Sequence, residues 1–318
     1  MADTAMRNSG LSEEPPEPEG PHGGDPHGDD PLERAVWRLR SRACWDDAAA
    51  LLAPRAAGEP GPALRRTVVL IEQCMFTGEG WRAAEDALRT AEALAADDEE
   101  RGAAACERGH LAYAATLLGV RDRADEARSA LGRAAALLAP GSRTRPLLHF
   151  RRGLIAQHLS DNPSDATAAF ERAHAGATTH GQRLLLSFTW RHVAAMAEHD
   201  GRLDEARYGF AESLRIREEL GYLIGIAPAL ASLASVLPDA GEAARLRAEA
   251  GRLVRLLGGV PAWLAGRLPT GAAARSAGRG RGRGTAVLSP TRPFPNRGSA
   301  PDPVSSIAGR AVFSPSGD

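Results

Sequence analysis

Five segments of this chain repeat one small pattern. WDDAAALL (45–52), WRAAEDAL (81–88), ADEARSAL (124–131), PSDATAAF (163–170) and LDEARYGF (203–210) each place an alanine four residues before a large apolar side chain. The pairs are Ala48 and Leu52, Ala84 and Leu88, Ala127 and Leu131, Ala166 and Phe170, and Ala206 and Phe210. Successive alanines lie 36, 43, 39 and 40 residues apart, and GEAARLRAEA (241–250) is a looser sixth copy. Self-similarity at such a period marks a stack of small supersecondary units, none of which can bury its apolar face alone.

The same register predicts a second helix in every unit. Sixteen residues before each anchor alanine stand Leu32, Val68, Leu111, Phe150 and Trp190, all apolar. Three residues before stand Trp45, Trp81, Ala124, Pro163 and Leu203, suited to a first helical turn, where proline is tolerated. Turn and cap formers (Gly78, Gly80, Asp122, Asp161, Asn162, Asp200, Gly201) fall where one helix must stop and the next begin. The anchor is small because antiparallel helices approach to about 8–10 Å. Across 32–266 apolar residues recur three and four apart, without sustained strand alternation, so the expectation is an all-α fold of eleven or twelve helices.

With its short glycine turn, Leu203, Ala206, Phe210, Ser213 and Trp190 upstream, the stretch 183–220 resembles a tetratricopeptide repeat. The resemblance extends over 32–266 and implies a right-handed α-solenoid of antiparallel helix pairs that acts as a protein–protein interaction module. Two departures stand out: the family period is about 34, shorter than the spacing here, and alanine occupies position 194 where the family has a glycine. A HEAT or armadillo solenoid, with a period nearer 40, is the competing fold. The lengthened units are similar to repeat tracts of GC-rich bacterial regulators and sensors. The alternative function is therefore the sensory or effector part of a regulator whose DNA-binding part lies elsewhere.

Composition sets the flanks apart. Residues 1–31 are rich in Pro, Gly, Asp and Glu, and residues 267–318 in Gly, Arg and Pro, including GRGRGRG at 278–284. Neither can bury enough apolar surface to offset ordering entropy, so an acidic and a basic disordered tail are expected. The arginine–glycine run lacks interleaved aromatics for base stacking, so it is not read as a nucleic-acid site. No basic n-region or long apolar run precedes the repeats, and a cytoplasmic protein without membrane contact is expected.

The sequence offers little chemistry. All 39 basic residues are arginine, which excludes a phosphate-binding loop and a Schiff-base enzyme, both of which need a lysine amine. No compact hydrolase, zinc-protease, dinucleotide or calcium motif occurs in the helical region, so no catalytic residue, metal or cofactor is assigned. Cys44, Cys74 and Cys106 are read as small buried hydrophobes. His192 and His199, seven apart, and His158 in the preceding unit are read as exposed groove or surface histidines rather than metal ligands. Asp97, Asp98, Glu99 and Glu100 are read as complementing a helix N-terminus.

What the resemblance implies about binding is specific. The family's inner-face positions lie on the first helix of each pair, and carrying them over selects Arg151 and Arg191, then His158, Glu198 and His199. Phe188 and Phe76 are added as apolar contacts. Two arginines 40 residues apart on neighbouring first helices are expected to grip an acidic or phosphorylated segment by forked hydrogen bonds.

Overall fold

A computed structural model describes residues 30–258 together with Leu264 and Leu268, all within one unit that ends before Arg275. Among the described residues there are twelve helices and no strand. They are α1 (Pro31–Arg40), α2 (Trp45–Ala56), α3 (Pro60–Thr77), α4 (Trp81–Leu94), α5 (Asp98–Leu117), α6 (Ala124–Leu137), α7 (Arg145–His158), α8 (Pro163–Thr179), α9 (Arg183–His199), α10 (Leu203–Glu219), α11 (Leu223–Val236) and α12 (Ala240–Leu256). They form six antiparallel pairs in chain order, α1 with α2 through α11 with α12. The first helices α3, α5 and α7 also touch in succession, so they make one layer. No helix among the described residues is long and apolar enough to cross a membrane.

The repeat register sits where packing is tightest. All five anchor alanines have no exposed surface, and Leu52, Leu88, Leu131, Phe170 and Phe210 are buried one turn on. Burying each of these larger side chains contributes roughly 1.5–3 kcal/mol. Opposite Ala194 on α9 stands Gly209 of α10, and a Cβ at Gly209 would lie 2.9 Å from the Ala194 methyl. One of the two crossing residues must lack a side chain, and here it is the one on the second helix.

The longer period has a simple geometric origin. Helices α9 and α10 are each 17 residues long and each is followed by a three-residue link, which gives the 40-residue unit. Gly181 in the link before α9, Gly201 between α9 and α10, and Gly221 after α10 hold left-handed φ of 64°, 77° and 63°. The next amide then reaches back to an orphan carbonyl: Gln182 to Ala177, Arg202 to Ala197 and Tyr222 to Arg217, each at 2.9 Å. Side-chain caps close the starts of α1, α5, α8 and α12. Asp97 accepts from the Glu100 amide at 2.8 Å while the Glu100 carboxylate accepts from the Ala96 amide, and Asn162 accepts from the Asp165 amide.

One set of contacts departs from nearest-neighbour stacking. The Trp37 indole on α1 donates to the Leu220 carbonyl at 3.1 Å and stacks on Tyr222 at 5.7 Å. The Ile224 amide donates to the Ser41 carbonyl at 3.1 Å, and the Tyr222 hydroxyl donates to Glu72 on α3 at 2.6 Å. The first two pairs are thus joined to the junction of the fifth and sixth, and Val36, Leu220, Tyr222 and Ile224 share one core with Leu52 and Leu88.

Cys74 and Cys106 are fully buried, whereas Cys44, in the α1–α2 turn, is only half-buried. The expected tails lie outside the described residues except at their inner ends. Pro31 already opens α1, and Leu268 packs with Leu264 against Ile226, Leu230, Ala250 and Val254.

Candidate functional site

Helix α5 is buried along most of its length because it packs on its partner α6 and on the first helices to either side, α3 and α7. Its sequence, rich in alanine and glycine, permits that approach, yet Glu107 lies in the middle of it with its side chain 1 % exposed. A buried carboxylate needs a partner. Arg151 of α7 supplies it, donating from Nη2 to Glu107 Oε1 at 2.6 Å with its own side chain 5 % exposed. Burial by itself would raise the Glu107 carboxyl, but Arg151 and His110 outweigh that and hold it down at about 2.

From Glu107 a line of polar groups runs along the first helices. His110 Nδ1 is 3.7 Å from Glu107 Oε2, and its ring stacks on Tyr113. Burial pushes the Tyr113 hydroxyl up, so it keeps its proton, and it shares a hydrogen bond of 2.6 Å with His158 Nδ1. His158 is exposed as a residue, but loss of water around its ring and the Arg191 guanidinium bring it down to about 4. His192 follows at 6.3 Å between ring centroids and is buried, not exposed as expected from sequence, because it is wedged between Phe150 and Phe170 at 5.3 and 4.7 Å. Its Nδ1 is 3.1 Å from Gln157 Oε1, an acceptor, and its Nε2 faces Arg191 Nη1 at 3.5 Å. Donation to Gln157 and acceptance from Arg191 require the neutral ring, and burial followed by Arg191 holds its pKa well below 6.5.

The line ends at Arg217 on α10, 3 % exposed. Its guanidinium donates to the Gly225 carbonyl at 2.7 Å and to Ser187 Oγ at 3.3 Å, and lies 5.2 Å above the Phe188 ring. Those oxygens are neutral. Burial first and the Arg191 charge second lower Arg217 to about 9, a large displacement for a guanidinium.

No family model matches the chain, and no curated protein does. Among solved structures the chain is similar to BtubC from P. vanneervenii, at 17% identity and a TM-score of 0.44, covering 83% of this chain and 100% of that one. It is also similar to a signal-transduction ATPase with numerous domains and a tetratricopeptide-repeat sensor from Pyrococcus horikoshii. That match has 15% identity and a TM-score of 0.43, covering 70% of this chain and 35% of the other.

The residues selected from sequence fall into three surroundings. Arg151 comes with its own carboxylate and lies inside the molecule. Arg191, His158 and Phe188 belong to the polar line, Arg191 and Phe188 being half-buried. Phe76 packs on Trp45 at 5.4 Å, Glu198 accepts from Ser235 at 3.0 Å, and His199 is exposed at the end of α9. Glu107, Tyr113, Arg217, Glu72 and Tyr222 were not selected. A carboxylate inside the run GAAACERG was a usable signal, because nothing else there is charged on the buried side. Tyr222 and Glu72 are 150 residues apart and carry no local signal. Among the described residues no group of three or more His, Cys, Asp or Glu could hold a metal ion.

Proposed function

We propose that the chain is a protein–protein interaction module that holds an acidic or phosphorylated segment along the first helices α7 and α9, beside Arg217 of α10. The observation that carries this is Arg217: a buried guanidinium held by neutral oxygens, depressed by the charge of Arg191. Arg191 and Arg217 lend this stretch positive character, which suits an anionic segment. His158 and Gln157 on α7, held by Tyr113 and His192, are the polar neighbours of that stretch. Arg151 is a positioning residue in this reading, since Glu107 already neutralises it.

The test is binding of the full chain to a peptide array with acidic, phosphoserine and neutral members, at low and high salt. Acidic and phosphorylated members are expected to bind, more weakly as salt rises, with loss in Arg191→Ala and partial retention in Arg191→Lys. Equal binding of neutral peptides, or salt-insensitive binding unchanged in Arg191→Ala, would overturn it.

A further inference from the structure

In a stack whose units touch only their neighbours, the first pair has no structural need to reach the fifth. Here it does, and the contact is built around one carboxylate. Glu72 accepts from Arg40 Nε and Nη2 at 3.0 and 3.1 Å, from the Trp45 indole at 3.0 Å and from the Tyr222 hydroxyl at 2.6 Å. Three of these four bonds come from the first pair itself; only Tyr222 comes from the far side. When Tyr222 leaves, Glu72 therefore keeps Arg40 and Trp45, and no unpaired charge remains buried. The other groups released, the Tyr222 hydroxyl, the Trp37 indole with the Leu220 carbonyl, and the Ile224 amide with the Ser41 carbonyl, are uncharged and can return to water.

The far side is also made to present that tyrosine. Tyr222 follows Gly221, whose φ of 63° turns the chain between α10 and α11. Gly225, one turn on, leaves room for the ring, since a Cβ there would lie 2.3 Å from Tyr222 Cδ1. The ring then meets Phe188 edge-on at 6.0 Å, and Phe188 is the surface over which Arg217 lies. The seam thus ends against the cationic end of the polar line.

We propose that the Glu72–Tyr222–Trp37 seam is a latch: the first two helix pairs together close over the junction of α10 and α11, and release of the seam uncovers Phe188 and Arg217. Its use as a gate rests on the partner-holding reading; the closure itself does not. Glu72 is paired in both states, with and without Tyr222, and opening exposes the apolar side chains of Val36, Leu220, Tyr222 and Ile224 that share one core when the seam is closed.

The experiment measures the distance across the seam in the full chain. Spin labels are placed at Arg38→Cys and Glu218→Cys, both exposed, in a Cys44→Ser background, where Cys74 and Cys106 are buried. The parent is expected to give one short distance. Tyr222→Phe keeps the ring and removes one charge-assisted bond, so the fraction at a longer distance should rise about tenfold or more with helicity unchanged. Trp37→Ala should raise it further. A single short distance in both variants would overturn the latch. So would a longer distance that arises only together with loss of helicity, because the seam would then be part of one indivisible core. The readout needs no partner, so a failed peptide assay and a failed latch are told apart.

Discussion

Glu107 and Arg151 are the residues whose removal should be felt most. Each is nearly sealed from water and each is the other's charge partner, so removing one leaves an uncompensated ion in the core. Arg151→Ala is expected to cost about 3–5 kcal/mol, read from urea unfolding, while Glu107→Leu with Arg151→Met should recover most of that. An Arg151→Ala variant as stable as the parent would mean the pair is solvated. The histidines add a pH dependence with a definite sign. His192 is held well below its ordinary 6.5 and His158 at about 4, so between roughly 6.5 and 4 the unfolded chain binds more protons than the folded one. Their contribution is complete above 6.5 and is lost as pH falls across that window; Glu107 adds a second loss below 4.5 toward about 2. The urea midpoint should therefore drop steadily from pH 7 to 4.5, and His192→Phe should flatten that slope. An equal slope in the variant would place the titration elsewhere.

At the level of the helix, the crossing of α9 and α10 decides the unit. Ala206 is fully buried and Gly209 faces Ala194, so there is no room for a longer side chain. Ala206→Leu should overpack the crossing and cost about 1–3 kcal/mol, and an unchanged melting midpoint would refute that placement. This much could be read from sequence because it is local: an alanine, a bulky residue four later and a glycine turn are all fixed by helix geometry within 40 residues. The same locality explains what was missed. Counting from the anchors places Ala112 of α5 beside Arg151 and Arg191, and so passes over Glu107, five residues earlier, which is the group that Arg151 meets. Register predicts which face a residue is on; it does not predict which side chain from the next helix fills the space.

Across the whole of the described helices, the contacts between the first pair and the α10–α11 junction make distant parts depend on each other. A nearest-neighbour stack would confine the effect of a change in α1 to α1, α2 and α3. The Trp37 indole, however, donates to the carbonyl of Leu220, 183 residues away, and the Ile224 amide is satisfied only through Ser41. Trp37→Ala removes the indole bond and the stacking on Tyr222, and so loosens the register that brings Ser41 under Ile224. Hydrogen exchange should accelerate about tenfold or more at the Ile224 amide, while amides in the middle of α7, such as Leu154, keep their protection. If exchange at Ile224 does not change, α1 is bound only to its own neighbours and the two parts of the molecule are energetically independent.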